Sequence, residues 1–341
     1  MSCHNHISCW NKKEPFPTAK HTMMTTRIAA MKKASCSCSY PVLVVLVVVI
    51  ISPCSTAFTN PAVPSEPSNL RQWCDVTERF ESRPSPKLLR HIHWLHVPKA
   101  GTSFGTTIMH YACENLDDDL YPHKQGQGFE YMRYFFQRYY KPKYCSGRVH
   151  LEHVYGHAPL NEEAIRKGGV VAMLRDPRMR HYSGWRIHGV MGTPLHPSNL
   201  TEYVQMYRGC QMKMILGEHC ELKPGRGKRY WRPSSHDEAK RAASLLQDEA
   251  VFAFVGLTDH WKASVCLFHA MFGGNITKHE MDNVRPGVSA LLNGNSHPAL
   301  EKISMQEDPF DAFVYTIARQ VFVRRLLEFG IAVPEELQSE G

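Results

Sequence analysis

HIHWLHVPKAGTSF, residues 91–104, is the stretch on which the fold of this chain turns. Its first seven residues, His91 to Val97, are apolar or aromatic with interleaved histidines, the composition of a short buried strand closed by Pro98. A glycine-containing turn follows, and a helical pattern runs from Ser103 to about Glu114. A strand that turns sharply into a helix builds an anion site from backbone alone, because the helix start carries unpaired N–H groups and a partial positive charge. Gly101 lets the backbone approach the anion closely, Thr102 and Ser103 add hydroxyl donors, and Lys99 adds a full charge. The Walker order Gly-x-x-x-x-Gly-Lys-[Ser/Thr] is absent, so the turn is P-loop-like without being that motif. Without a ligand in mind, the same residues are simply a turn that opens a helix.

The same grammar recurs downstream. GVVAML, residues 169–174, has the near-continuous apolar character of a strand buried on both faces, and Asp176-Pro177 supplies a cap and first residue for a helix. Strands are also expected at His150 to Tyr155 and Val251 to Gly256, with Thr258 capping a helix that runs through Met271. Ser235-x-x-Glu238 has the spacing of a capping box, and Asp308-Pro309 opens a final helix reaching about Phe329. Strands separated by helices predict an α/β protein, a P-loop-like parallel sheet flanked by helices. Arg175 ends a strand at the carboxyl edge, where open α/β sheets bind ligands. Ser183 stands about two helical turns further on. A planar guanidinium fork and a neutral hydroxyl together suit a 3′-phosphate.

With 341 residues, 43% hydrophobic and 21% charged, the chain is long enough to bury one sizeable core. A formal net charge of +8 attracts polyanions: nucleic acid, acidic polysaccharide or nucleotides. The basic residues are dispersed and lie in no recognised nucleic-acid module, so no nucleic-acid partner is expected. Five of the eleven cysteines, Cys3, Cys9, Cys36, Cys38 and Cys54, lie in or before an apolar segment. The other six, Cys74, Cys113, Cys145, Cys210, Cys220 and Cys266, leave room for three disulfides, with Cys210 and Cys220 the best local pair. Without Cys-x-x-Cys spacing no metal is expected.

The apolar segment is PVLVVLVVVII, residues 41–51, preceded by Lys32 and Lys33 and followed by Ser52-Pro53. It has the form of a signal peptide or of a signal anchor, and residues 1–57 are read as a targeting segment. A Pro/Ser-rich stem is expected over 58–86, a catalytic domain over 87–334 and a tail over 335–341. This organisation predicts the secretory pathway and a type II membrane anchor through the N-terminal segment. Secretion, or a plastid destination read from STAFTN at residues 55–60, is the alternative. Sequons at Asn199 and Asn275 agree with a lumenal glycoprotein.

Lys99 to Phe104 resembles the 5′-phosphosulfate loop of sulfotransferases that use 3′-phosphoadenosine 5′-phosphosulfate (PAPS), and Arg175 with Ser183 resembles their 3′-phosphate motif. Tyr155-Gly156-His157, Phe254-Val255-Gly256-Leu257-Thr258 and residues 308–322 look like blocks of the Golgi carbohydrate sulfotransferases that include the uronyl 2-O group. The similarity runs from about Ile92 to Phe329 and is patchy between Thr193 and Trp231. It departs at Tyr155, where the uronyl 2-O enzymes carry a second histidine, so it does not extend to uronic acid specificity.

The resemblance implies a sulfotransferase fold, PAPS as donor and a carbohydrate hydroxyl as acceptor, and the Golgi lumen as location follows from it alone. His157 would be the catalytic base, and Lys99 would neutralise the leaving phosphate. Lys99, Ala100, Gly101, Thr102, Ser103, Phe104, Arg175 and Ser183 would hold the nucleotide, and Arg285, in Asn283-Val284-Arg285-Pro286-Gly287, would close over it. A tyrosylprotein or small-molecule sulfotransferase, or a catalytically silent binder of the nucleotide product, is the alternative. His91, His93 and His96 flank the first strand and are expected to be packing or surface groups. The aromatic run from Tyr131 to Tyr140 is expected to form a helix packed into the core, with binding of an anionic glycan beside Arg133 and Arg138 the alternative.

Overall fold

The computed structural model describes residues 69–117, 129–152, 156–190, 199–220, 233–281 and 304–338. The chain divides into two units, Met1–Phe58 and Thr59–Gly341, and all described residues belong to the second. Its centre is a sheet of four strands, β1 (His91–Leu95), β2 (His150–Glu152), β3 (Val170–Leu174) and β4 (Phe252–Leu257). All are parallel, in the order β2-β1-β3-β4.

Twelve helices surround the sheet among the described residues. In chain order they are α1 (Leu70–Trp73), α2 (Gly105–Ala112), α3 (Phe129–Tyr139), α4 (Glu162–Lys167), α5 (Pro177–Val190) and α6 (Leu200–Tyr207). There follow α7 (Cys210–Ile215), α8 (His236–Gln247), α9 (Trp261–Phe272), α10 (Lys278–Met281), α11 (Pro309–Glu328) and α12 (Glu335–Gln338). The expected architecture, a parallel sheet flanked by helices, is the one the chain adopts. Every residue of β3 is buried, as is all of β1 after His91, which is why neither strand alternates in sequence.

The strand order places a reversal between β1 and β3. From β1 the chain crosses to β2 on one side, then returns to add β3 and β4 on the other. The segments leaving β1 and β3 therefore diverge from adjacent strands, and sheets of this kind open a crevice outside the carboxyl edge at that point.

Helix starts follow the local chemistry. Asp308 accepts from the Asp311 N–H at 3.2 Å with Pro309 at the first position of α11. The capping box of α8 is complete: Ser235 Oγ accepts from Glu238 N–H at 3.3 Å and Glu238 Oε2 accepts from Ser235 N–H at 2.9 Å. Thr258 departs from expectation. A 3-10 turn, Thr258–His260, precedes α9, and the Thr258 hydroxyl caps neither.

Inside, Phe104 stacks on Phe254 at 5.4 Å and meets Phe268 edge-on at 5.5 Å, so the end of the β1–α2 loop is anchored in the core. At the sheet margin the Tyr140 hydroxyl donates to Val149 O (3.1 Å) and accepts from Leu151 N–H (2.9 Å), serving the outward backbone of β2.

Three disulfides join the six downstream cysteines: Cys74–Cys266, Cys113–Cys145 and the expected Cys210–Cys220. The first corrects the stem boundary. Residues 69–86 are not loose: Leu70 and Phe80 are buried, Val76 bridges to Ile331, and Cys74 is tied to α9. Membrane anchorage is corrected too. No helix among the described residues is long and apolar enough to cross a membrane, which leaves the type II Golgi topology without a spanning element there. The apolar run 41–51 lies outside the described residues.

Candidate functional site

The loop from His96 to Phe104 leaves β1 at the reversal point. Lys99 has φ 66°, the single positive value at a non-glycine residue among the described residues, and Gly101 has φ 85°. A left-handed backbone costs a residue with a Cβ roughly 1–2 kcal/mol, so its neighbours must impose it. They do so with hydrogen bonds. Arg175 Nη1 donates to Lys99 O at 3.2 Å, Ala100 N–H to Val97 O at 3.1 Å, and Phe104 N–H to Gly101 O at 2.9 Å. A Cβ on Gly101 would lie 3.2 Å from both Met173 Cβ and Thr258 Oγ1, so the loop sits tightly on the ends of β3 and β4. Ala100 and Phe104 are buried, and their side chains anchor the loop. Lys99, Gly101, Thr102 and Ser103 are partly exposed.

Arg175 follows β3 and is only 9% exposed. Its peptide is clamped by one side chain: its N–H donates to Gln211 Oε1 at 2.9 Å and its carbonyl accepts from Gln211 Nε2 at 3.0 Å. Burial pushes the guanidinium pKa down, while Asp259 and Asp176 push it back up. Asp259 Oδ1 is 4.0 Å from Nε, which makes no hydrogen bond among the described residues. Thr258 Oγ1 is also buried without a hydrogen-bond partner there. Two polar groups with unspent capacity, beside a glycine cradle at a sheet's carboxyl edge, fit an anionic ligand.

Gln211 is itself held from below. It stands at the start of α7, where Asp311 accepts the N–H groups of Gln211 and Met212, both at 3.0 Å, and Asp308 accepts that of Gly209 at 3.0 Å. Arg180 is the buried cation for both carboxylates, 3.2 Å from Asp311 and 3.7 Å from Asp308. Burial, reinforced by Asp308, pushes the Asp311 carboxyl up to about 6 despite Arg180. Burial also raises Asp308. His181, 2.8 Å from Asp308, is pushed well below the usual imidazole range by burial and then by Arg180.

His157 is brought to the loop by another histidine. His96 is buried and stacked on Trp94, with ring centroids 4.5 Å apart. Its Nδ1 lies 3.1 Å from Gly156 O and its Nε2 3.0 Å from Thr102 Oγ1. A carbonyl only accepts, so Nδ1 carries a proton, and in the neutral ring Nε2 accepts from Thr102. The His96 and His157 rings lie 4.7 Å apart. His96 thus spans the segment carrying His157 and the β1–α2 loop, a role the expectation of strand packing missed.

Ser183 lies on α5, partly buried. Tyr155 and Arg285 lie outside the described residues. A cavity of about 520 Å³ lined by Arg79, Arg319, Arg324 and Leu327, among others, shares no residue with the site.

No family model, curated protein or solved structure matches this chain. The chemical reading of the site therefore rests on its own residues: two loops at one reversal point, a buried guanidinium and a histidine pair.

Proposed function

We propose that the chain is a sulfotransferase, of sulfotransferase fold, that uses PAPS to sulfate a hydroxyl of a carbohydrate acceptor. The observation that carries this reading is the 3.2 Å contact from Arg175 Nη1 to Lys99 O, which joins the loops after β1 and β3 at the reversal point of the sheet. A donor with one phosphate on the 3′ oxygen and another on the 5′ oxygen of a single ribose needs two neighbouring anion grips, and these two loops would supply them. PAPS would bring a sulfuryl group on a phosphate leaving group.

The protein's share is positioning and charge. Backbone N–H groups of Gly101 to Ser103, at the start of a 3-10 turn running into α2, would face the anion, and Lys99 would add the cation for a leaving oxygen. Arg175, with Ser183 on α5, would hold the 3′-phosphate. His157 would take the proton of the acceptor hydroxyl, which an imidazole can do near neutral pH. His96 does not touch the reacting atoms in this reading. It fixes the distance between the base and the phosphate loop.

Calorimetric titration with 3′-phosphoadenosine 5′-phosphate should give one site, weakened in Arg175→Ala. Transfer of labelled sulfate to a panel of glycans, peptides and phenols should favour glycans. His157→Ala should still bind the nucleotide while losing at least about a hundredfold in turnover. No nucleotide binding would overturn the proposal, and binding without turnover on any acceptor would leave a silent binder instead. Turnover on peptides or phenols alone would move the assignment to another acceptor class.

A further inference from the structure

At the opposite edge of the sheet from Lys99 and Arg175, the start of β1 and the short strand β2 bring together groups that the site above does not use. The parallel register pairs His91 with His150 and His93 with Glu152. The His91 and His150 rings stack at 5.2 Å. Glu152 Oε1 lies 3.2 Å from His91 Nε2 and 3.8 Å from His150 Nε2, and all three groups offer ligand atoms within 4.8 Å of one another. His91 Nε2 is shielded from solvent and faces the Glu152 carboxylate across 3.2 Å. A tetrahedral site with bonds of about 2.0–2.1 Å separates its ligand atoms by about 3.3 Å, close to the His91–Glu152 pair at 3.2 Å, while His150 at 3.8 Å has to move in by about half an ångström.

We infer that His91, His150 and Glu152 form a binding site for a divalent cation of the zinc class, two imidazoles and one carboxylate with a fourth position open to water. Imidazole with carboxylate suits zinc and its neighbours among the transition metals rather than calcium or magnesium. The absence of Cys-x-x-Cys spacing underlies the expectation of no metal and leaves this histidine set unweighed. The present occupant of Glu152 is Lys167, whose Nζ lies 3.0 Å from Oε1 and 2.7 Å from Glu163. A cation displaces the ammonium from Glu152, and Lys167 keeps Glu163. Bridging β1 to a three-residue strand, the ion acts as a clip on β2, which leads towards the segment carrying His157. The site is independent of the sulfotransferase reading.

The test is zinc binding by the full chain in competition with a chromogenic chelator, together with the visible d–d absorption of cobalt(II) in its place. The chain has twenty histidines, so the comparison is between variants. The His150 side chain is 65% exposed, and His150→Ala should fold normally while weakening zinc at least about tenfold and losing the tetrahedral cobalt bands. Glu152→Gln should do the same. Lys167→Met removes the competing ammonium and should tighten zinc severalfold. Equal affinity in wild type and His150→Ala, or a Lys167→Met variant that binds no more tightly, would overturn the inference.

Discussion

Lys99 holds a left-handed backbone that its own side chain disfavours, and the loop around it is built to keep it there. Replacing it by alanine deletes the ammonium but keeps the Cβ, whereas glycine deletes both. In urea unfolding, Lys99→Gly should be more stable than Lys99→Ala by about 1 kcal/mol, with both inactive in sulfate transfer. If the two unfold at the same urea concentration, the loop is not strained at this position. The placement of Lys99, Gly101 and Arg175 in loops that follow strands could be read in the sequence because the signal is local: an apolar run that ends at a turn. His96 could not be read so. Its contact is with Gly156, sixty residues along the chain, and nothing in the alternation His91, His93, His96 separates it from the other two.

Elements locate the site by a relay. The start of α11 supplies Asp308 and Asp311, these fix the start of α7, and α7 supplies Gln211, which grips the Arg175 peptide on both sides. Gln211→Leu would leave a buried N–H and a buried carbonyl unpaired, each at about 1–3 kcal/mol. It should therefore lower unfolding free energy by about 2 kcal/mol or more and weaken nucleotide binding, although Gln211 is buried away from solvent. Loss of stability with unchanged nucleotide affinity would mean that the clamp does not position Arg175. The strands, the α8 capping box and the Asp308-Pro309 helix start were all legible, since periodicity and caps are local signals. The second use of Asp308 and Asp311 was not, because the backbone they receive lies about a hundred residues earlier.

Across the whole molecule, the boundary of the folded unit was the least legible feature. Proline and serine over 58–86 read as linker, yet Cys74 is joined to Cys266 across 192 residues and Leu70 and Phe80 complete the core. Stability should also follow pH through a second buried pair, His269 and Glu280, whose Nε2 and Oε2 lie 2.8 Å apart. Burial alone would lower His269 and raise Glu280, but their mutual attraction reverses both, so His269 is raised from 6.5 and Glu280 lowered from 4.5. The Glu280 contribution is complete above about pH 4.5 and is lost as pH falls through its lowered folded value. That of His269 is complete below about 6.5 and is lost as pH rises through its raised one. The difference in unfolding free energy between wild type and His269→Gln/Glu280→Gln should therefore peak between those two values and decline on both sides. A difference that does not vary with pH would contradict the pairing. The phenol of Tyr140 has one more consequence. By occupying the outward carbonyl and amide of the short edge strand, it takes the seat where a further polypeptide would dock, so this margin offers little template for fibril growth or strand exchange between copies.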